Sequence, residues 1–180
     1  MDGAREVDGV WVAGAGATLW RHSPAGHGPL RLASRIIAIP ATTNAQLAEA
    51  TGCRGALGLL AEVHPHPSTA RIAGDNLAAI RYGAGTGRYR RLALQAQMEH
   101  GLQRLSAAGW TLRWQAVRRR LNRAADTLAT LALAWASSLY ALGHRSVQVF
   151  TIWHDQQLPP RPSSMPARVY STLQALGQSG

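Results

Sequence analysis

"TARIAGDNLAAI" fills residues 69–80, and it changes structural character at an acid. "TARIAGD" reads as a short strand whose last residue is Asp75. Asp75 or Asn76, both short polar side chains able to accept from a backbone N–H, then opens a short helix through "NLAAIRYG". A strand that passes into a helix across one polar turn is the repeating unit of an α/β chain.

Upstream of this turn, "HPHPS" (64–68) breaks the chain. Before it, "AQLAEATGCRGALGLLAEV" (45–63) carries Leu47, Ala50, Leu57 and Leu60 at near-helical intervals behind the N-cap residues Thr42, Thr43 and Asn44. Two strand-like runs come earlier, "VWVAGAGATLWRH" (10–22) and "LRLASRIIAIP" (30–40). The Pro/Gly cluster "SPAGHGP" separates them, so they read as an antiparallel hairpin.

Downstream, the Gly-rich stretch "GAGTG" leads to "RYRRLALQAQMEHGLQRLSAAG" (88–109), with Leu92, Ala96, Leu102 and Leu105 in helical register and Gly109 as the stop. "WTLRWQAV" (110–117) is a further strand. "NRAADTLATLALAWASSLYALG" (122–143) is a long helix with the stripe Ala125, Leu128, Ala132, Trp135, Leu139 and Leu142. Over 10–143 the order is β-β-α-β-α-α-β-α, a mixed α/β sheet with flanking helices. Residues 144–180 change character. "RSVQVFTIWHD" has strand composition and "QQLPPRPSSMPAR" is Pro/Ser-rich, so this part is expected to be an appended, partly disordered extension of a 1–143 domain. No internal repeat is present.

The 180 residues suit one domain. No apolar run reaches the roughly 20 residues of a membrane span, and the longest, "TLATLALAWASSLYALG", is broken by Ser and Thr and reads as a buried amphipathic helix. A membrane partner is therefore not expected. Cys53 is the only cysteine, which excludes an intrachain disulfide framework and a Cys-rich zinc site. With no secretory or transit pattern at the N-terminus, an intracellular setting is expected, with nucleus and cytoplasm not distinguished.

Nineteen basic residues, every one an arginine, face nine acids, for a net charge of +10. A guanidinium offers a planar fork of donors suited to phosphate, so this balance points to a polyanionic partner. Against that background the few acids stand out. Asp2 precedes the hairpin, Glu49 lies in the first helix, Asp75 ends a strand and Asp126 lies in the first turns of the last helix. Singly, each reads as a surface charge or a helix cap. Together they sit where strand ends and helix starts converge in α/β sheets, and clustered carboxylates are tolerated around hard divalent cations.

The segments around these four acids resemble the type 1 ribonuclease H family, of the kind carried by retroelements and retrotransposons. "GDN" (74–76) is similar to the family's strand-ending Gly-Asp-Ser/Asn. "NRAAD" (122–126) is similar to the Asn-x-x-Ala-Asp that opens its last helix. "TTNAQLAE" (42–49) resembles the start of its first helix, and "MDGAR" with "AGAGATLW" resembles its opening Asp-Gly loop and Gly-rich second strand. The resemblance spans about residues 2–135. It implies a ribonuclease H-like mixed sheet with flanking helices and hydrolysis of the RNA strand of RNA–DNA hybrids. The catalytic and metal-binding carboxylates would be Asp2, Glu49, Asp75 and Asp126, holding two Mg²⁺, or Mn²⁺ in its place.

Three departures accompany it. "TTNAQLAE" has one extra residue between its Thr-Asn pair and Ala-Glu. "WQAVRRRLNRAAD" lacks the histidine that many family members carry before the last aspartate. The family's first strand also precedes the first aspartate, where this sequence has almost nothing. Either another segment, with "VQVFTIW" the candidate, fills that space, or the protein is a fragment.

Two basic clusters flank the acids: Arg81, Arg88, Arg90 and Arg91 around "GAGTG", and Arg118, Arg119, Arg120 and Arg123 around the last motif. On the same reading these residues, with Asn76 and Asn122, contact the phosphates of a hybrid duplex, with little sequence preference because hybrids are read by shape. A solvated basic face is the alternative. His64 and His66 form a surface turn rather than a closed metal pair, and the six tryptophans are expected mainly in the core. "AGAGA" lacks the features of a phosphate loop. Two other readings stay open: a catalytically inactive nucleic-acid-binding domain, and a protein-interaction domain. Oligomeric state is not legible.

Overall fold

The computed structural model describes residues 3–22, 26, 28–63 and 68–178. Its strands are β1 (Ala4–Val7), β2 (Val10–His22), β3 (Pro29–Thr42), β4 (Thr69–Gly74), β5 (Thr111–Ala116) and β6 (Gln148–Trp153). Its helices are α1 (Ala45–Ala61), α2 (Leu77–Gly83), α3 (Leu92–Ala107), α4 (Arg123–Ala141) and α5 (Ala167–Gln178), with a 3₁₀ turn at Arg119–Leu121. The chain is mixed α/β, and the strands and helices expected over 10–143 are all present.

The strands form two sheets instead of one. Four antiparallel strands run in the order β1-β2-β3-β6, and β4 pairs in parallel with β5. β1 lies outside the sequence expectation. Its link to β2 is the two-residue Asp8-Gly9 turn, with φ of 50° and 81°. Asn/Asp-Gly loops favour such turns because both central residues must enter the left-handed region.

β2 and β3 form the centre because both their faces are covered. On one face Ala13 and Ala15 of β2 and Ile37 and Ile39 of β3 pack with Ala48 of α1. On the other, Val12, Ile36 and Ala38 join Leu128, Ala132, Trp135, Ala136 and Leu139 of α4. The period of two along each strand assigns these sets to opposite faces. "AGAGA" is thereby explained: a Cβ at Gly14 or Gly16 would collide with the α4 backbone at Ala129. These glycines set how closely helix and sheet approach.

The expected extension at 144–180 is instead part of the core. β6 pairs with β3 from Ala33↔Trp153 to Ala38↔Gln148. Met165 and, from α5, Val169 and Leu173 are buried with Phe150, Ile152 and Trp135. The Pro/Ser-rich stretch between is held by Trp135 Nε1 donating to Ser164 Oγ (3.0 Å) and Ser138 Oγ donating to the Ser164 carbonyl (2.7 Å). Composition alone misjudged it, because its few apolar residues all face one surface. Nor does "VQVFTIW" fill the place of a missing first strand, since β6 adds to the sheet edge opposite β1.

Arg35 of β3, only 5% exposed, fastens this edge to α1. Its guanidinium donates to Thr151 Oγ1 (2.9 Å), the Gly55 carbonyl (3.0 Å) and Glu62 Oε2 (2.6 Å). A buried charge is costly unless its donors are satisfied this fully.

β4 and β5 are joined through the crossover α2–α3, as parallel strands require. They meet the rest of the molecule through Leu57 and Leu60 of α1 and Leu105 of α3. The expected stripe of α3 is shifted: Leu94, Met98, Gly101 and Leu105 are buried, while Leu92 is exposed. Leu142, expected in the α4 stripe, lies beyond the helix end and is exposed.

Candidate carboxylate site and basic rim

Three of the four expected carboxylates lie among the described residues, each placed by a different element. Glu49 is in the second turn of α1, whose start is set by Asn44 Oδ1 accepting from the Leu47 N–H (2.8 Å). Asp75 follows the end of β4. Asp126 is in the first turn of α4. All three are half-buried. Asp2 lies outside the described residues, as do His64 and His66. Its neighbour Gly3 is buried against Gly14 and the α4 backbone at Ala129, and Ala4 packs on the cluster containing Ala48, next to Glu49.

Two asparagines donate to two of these carboxylates, Glu49 and Asp75. Asn76, and not Asp75, caps α2, its Oδ1 accepting from the Ala79 N–H (3.0 Å). The same side chain turns its Nδ2 to Glu49 Oε2 at 2.6 Å. Asn122 Nδ2 donates to Asp75 Oδ1 (3.2 Å), and its carbonyl accepts the Asp126 N–H (3.0 Å). A polar path thus runs from α1 through the β4–α2 turn to the start of α4. Asn122 gives its side chain to Asp75 and makes no side-chain cap on α4. Both asparagines were expected to face nucleic acid; in the fold their amides orient carboxylates.

Arg119 Nε meets Asp126 Oδ2 at 3.2 Å, with side-chain exposures of 42% and 29%. A pair so open to water contributes little stability. Among the described residues no group of three or more His, Cys, Asp or Glu side chains is close enough to hold a metal ion. The chemistry of the donor set, carboxylate oxygens without thiolate or imidazole, suits Mg²⁺ or Mn²⁺ over softer ions.

The eight arginines expected at the rim, Arg81, Arg88, Arg90, Arg91, Arg118, Arg119, Arg120 and Arg123, are all exposed. The loop carrying Arg88 and Arg90 is anchored. Tyr82 and Tyr89 stack with ring centroids 5.1 Å apart, the Tyr82 hydroxyl donates to Glu99 (2.6 Å), and Thr86 and Gly87 donate to the Arg81 carbonyl. Burial, the Glu99 hydrogen bond and the Glu99 charge push the Tyr82 phenol up to about 12. Burial likewise pushes the Cys53 thiol up to about 12, which keeps it protonated and unreactive.

A second group of mostly polar residues, of which the sequence pointed only to Arg123, lies on the sheet side of the same first turn of α4. Thr18, Arg31, Ser34, Arg123, Thr127 and Leu176 line a pocket there. Strand period alone assigns Thr18 to the face of Gly14 and Gly16, and Ser34 to that of Ile36. Only the packing of α4 and α5 brings them under one roof.

No protein-family model matches the chain, and no curated protein matches it. Among the described residues no helix is long and apolar enough to cross a membrane.

Proposed function

We propose that the protein is a metal-dependent ribonuclease that cuts the RNA strand of RNA–DNA hybrids. The observation that carries this reading is the polar path through Asn76 and Asn122. It ties Glu49 to the turn that carries Asp75, and Asp75 to Asn122 at the start of the helix that carries Asp126, across 27 and 47 positions of sequence. Side chains so separated are not joined in this way by local sequence.

Glu49, Asp75 and Asp126, with Asp2, would hold the ions, each described carboxylate keeping one oxygen outside the hydrogen bonds given above. When bound, Mg²⁺ ions neutralise charge on the phosphodiester and ease deprotonation of the attacking water. Asn76 and Asn122 set the carboxylate orientation, as outer partners of metal ligands do. Arg81, Arg88, Arg90 and Arg91 on one side, and Arg118, Arg119, Arg120 and Arg123 on the other, give the rim a positive field that attracts and positions duplex phosphates.

The test is cleavage of a labelled RNA–DNA hybrid in Mg²⁺ or Mn²⁺, with chelator as control. The expected result is ion-dependent cutting of the RNA strand that Asp75→Asn abolishes. Absence of ion-dependent cleavage, together with unaltered hybrid affinity in Asp75→Asn, would sink the reading. Hybrid binding without cleavage would leave a nucleic-acid-binding domain. Absent or salt-insensitive binding would point to a protein-interaction domain.

A further inference from the structure

The pocket on the sheet side of α4 is about 260 Å³, far more than the roughly 30 Å³ that one water takes in the liquid. Its wall comes from four elements: Thr18 of β2, Arg31 and Ser34 of β3, Arg123 and Thr127 of α4, and Leu176 of α5. Thr18 Oγ1 and Arg31 Nε are inaccessible to solvent and make no hydrogen bond. Ser34, 3% exposed, has a single long contact, 3.4 Å to His154 Nε2. Arg31 is held by stacking, its guanidinium carbon 4.9 Å from the Trp20 ring centroid, with no ion pair among the described residues. Two guanidinium groups therefore border a pocket in which no lining residue is acidic.

An unpaired buried donor is costly, and more so when the group is charged. Water brings no countercharge to Arg31. The first turn of α4 adds to the demand. Its N–H groups take no side-chain cap from Asn122. What satisfies all of these at once is a compact anion with several acceptor oxygens.

We propose that this pocket is a binding site for a phosphate group, with Arg31 as its charge partner and Thr18, Ser34 and Thr127 as hydroxyl donors around it. Tetrahedral phosphate matches a guanidinium fork and additional donors together. The site lies across α4 from Asp126 and requires none of the carboxylates, although it shares Arg123 with the proposed basic rim. The group belongs either to a free phosphate compound or to a nucleic-acid backbone reaching past the start of α4.

The experiment titrates the full chain with sodium phosphate at constant ionic strength, following thermal stability and amide NMR shifts. A saturable response is expected in the parent protein. At least tenfold weaker binding is expected in Arg31→Gln, and weaker binding also in Thr18→Val, which keeps the side-chain shape. A response no greater than that of matched sodium chloride, or one unchanged in Arg31→Gln, would overturn the site. Should Arg31→Gln fail to fold, an unchanged response in Thr18→Val would overturn it equally. A second arm identifies the source. If phosphate competes with duplex and the variants lose duplex affinity at least fivefold, the group is a backbone phosphate. If duplex binding is untouched while phosphate binding falls, it is a free compound.

Discussion

On one flank of α4's first turn, Asn122 donates to Asp75 and Arg119 pairs with Asp126. On the other flank, Thr18 Oγ1 and Arg31 Nε are sealed from water with no partner. Both flanks hang from the same helix, seated by Leu128 and by Gly16 beneath it. The first flank matches charges with groups of its own chain, which holds them in place before any ligand arrives. The second leaves donors unmatched, with Arg31 held only by its stacking on Trp20. Preorganisation suits chemistry at a fixed point, whereas unmatched donors suit capture.

The largest test of this contrast is to loosen the seat common to both flanks. Leu128→Ala is expected to destabilise the fold by about 2–5 kcal/mol, as removal of a buried leucine does. Denaturant unfolding measures it, and a loss well under 1 kcal/mol would mean that the turn is not anchored there. Next in size is the matched flank. Asn122→Ala is expected to reduce hybrid cleavage by about 10–100-fold, the usual effect of removing an orienting partner, while circular dichroism and hybrid affinity stay near the parent values. Unchanged turnover would reduce Asn122 to a bystander.

The unmatched flank predicts the opposite sign. In phosphate-free buffer Thr18→Val should stabilise the protein by about 1 kcal/mol, because it removes a buried hydroxyl that has no partner. A destabilising result would show that the hydroxyl is satisfied in solution.

The smallest effect is one of pH. Burial, aided by the Arg31 charge and opposed by the Gly177 backbone, holds the His154 imidazole below its ordinary value. The unfolded chain therefore binds the proton more readily, and stability should fall as pH drops through about 6.5, the unperturbed histidine value. His154→Gln should flatten that part of a pH–stability curve. A slope identical to the parent's would assign it to other groups.

The long elements were legible because their periodicity is strong. β2, β3, α1 and α4 follow the expected segments within a few residues, and Asn44 caps α1 as its side chain suggested. β1 escaped notice because four residues give little period, although Asp8-Gly9 is the kind of pair that closes a tight hairpin. The α3 stripe is right at Leu105 and shifted before it, because Leu92, Ala96 and Leu102 offer a spacing that competes with Leu94, Met98 and Gly101. Of the candidate site, the acids were legible as motif positions. The roles of Asn76 and Asn122 were not, since a hydrogen bond between residues 27 or 47 positions apart exists only after folding.

What the sequence determined by itself was the α/β alternation, the excess of arginine over acid, and the positions of Asp75 at a strand end and of Glu49 and Asp126 in the early turns of helices. These follow from local propensity and counting, which need no partner. What only the tertiary structure decided was the addition of β6 and α5 to the core, the division of the strands into two sheets, and the meeting of Thr18, Arg31 and Ser34 under α4. Each depends on which faces meet. An amphipathic pattern says that a face must be buried, but not against what.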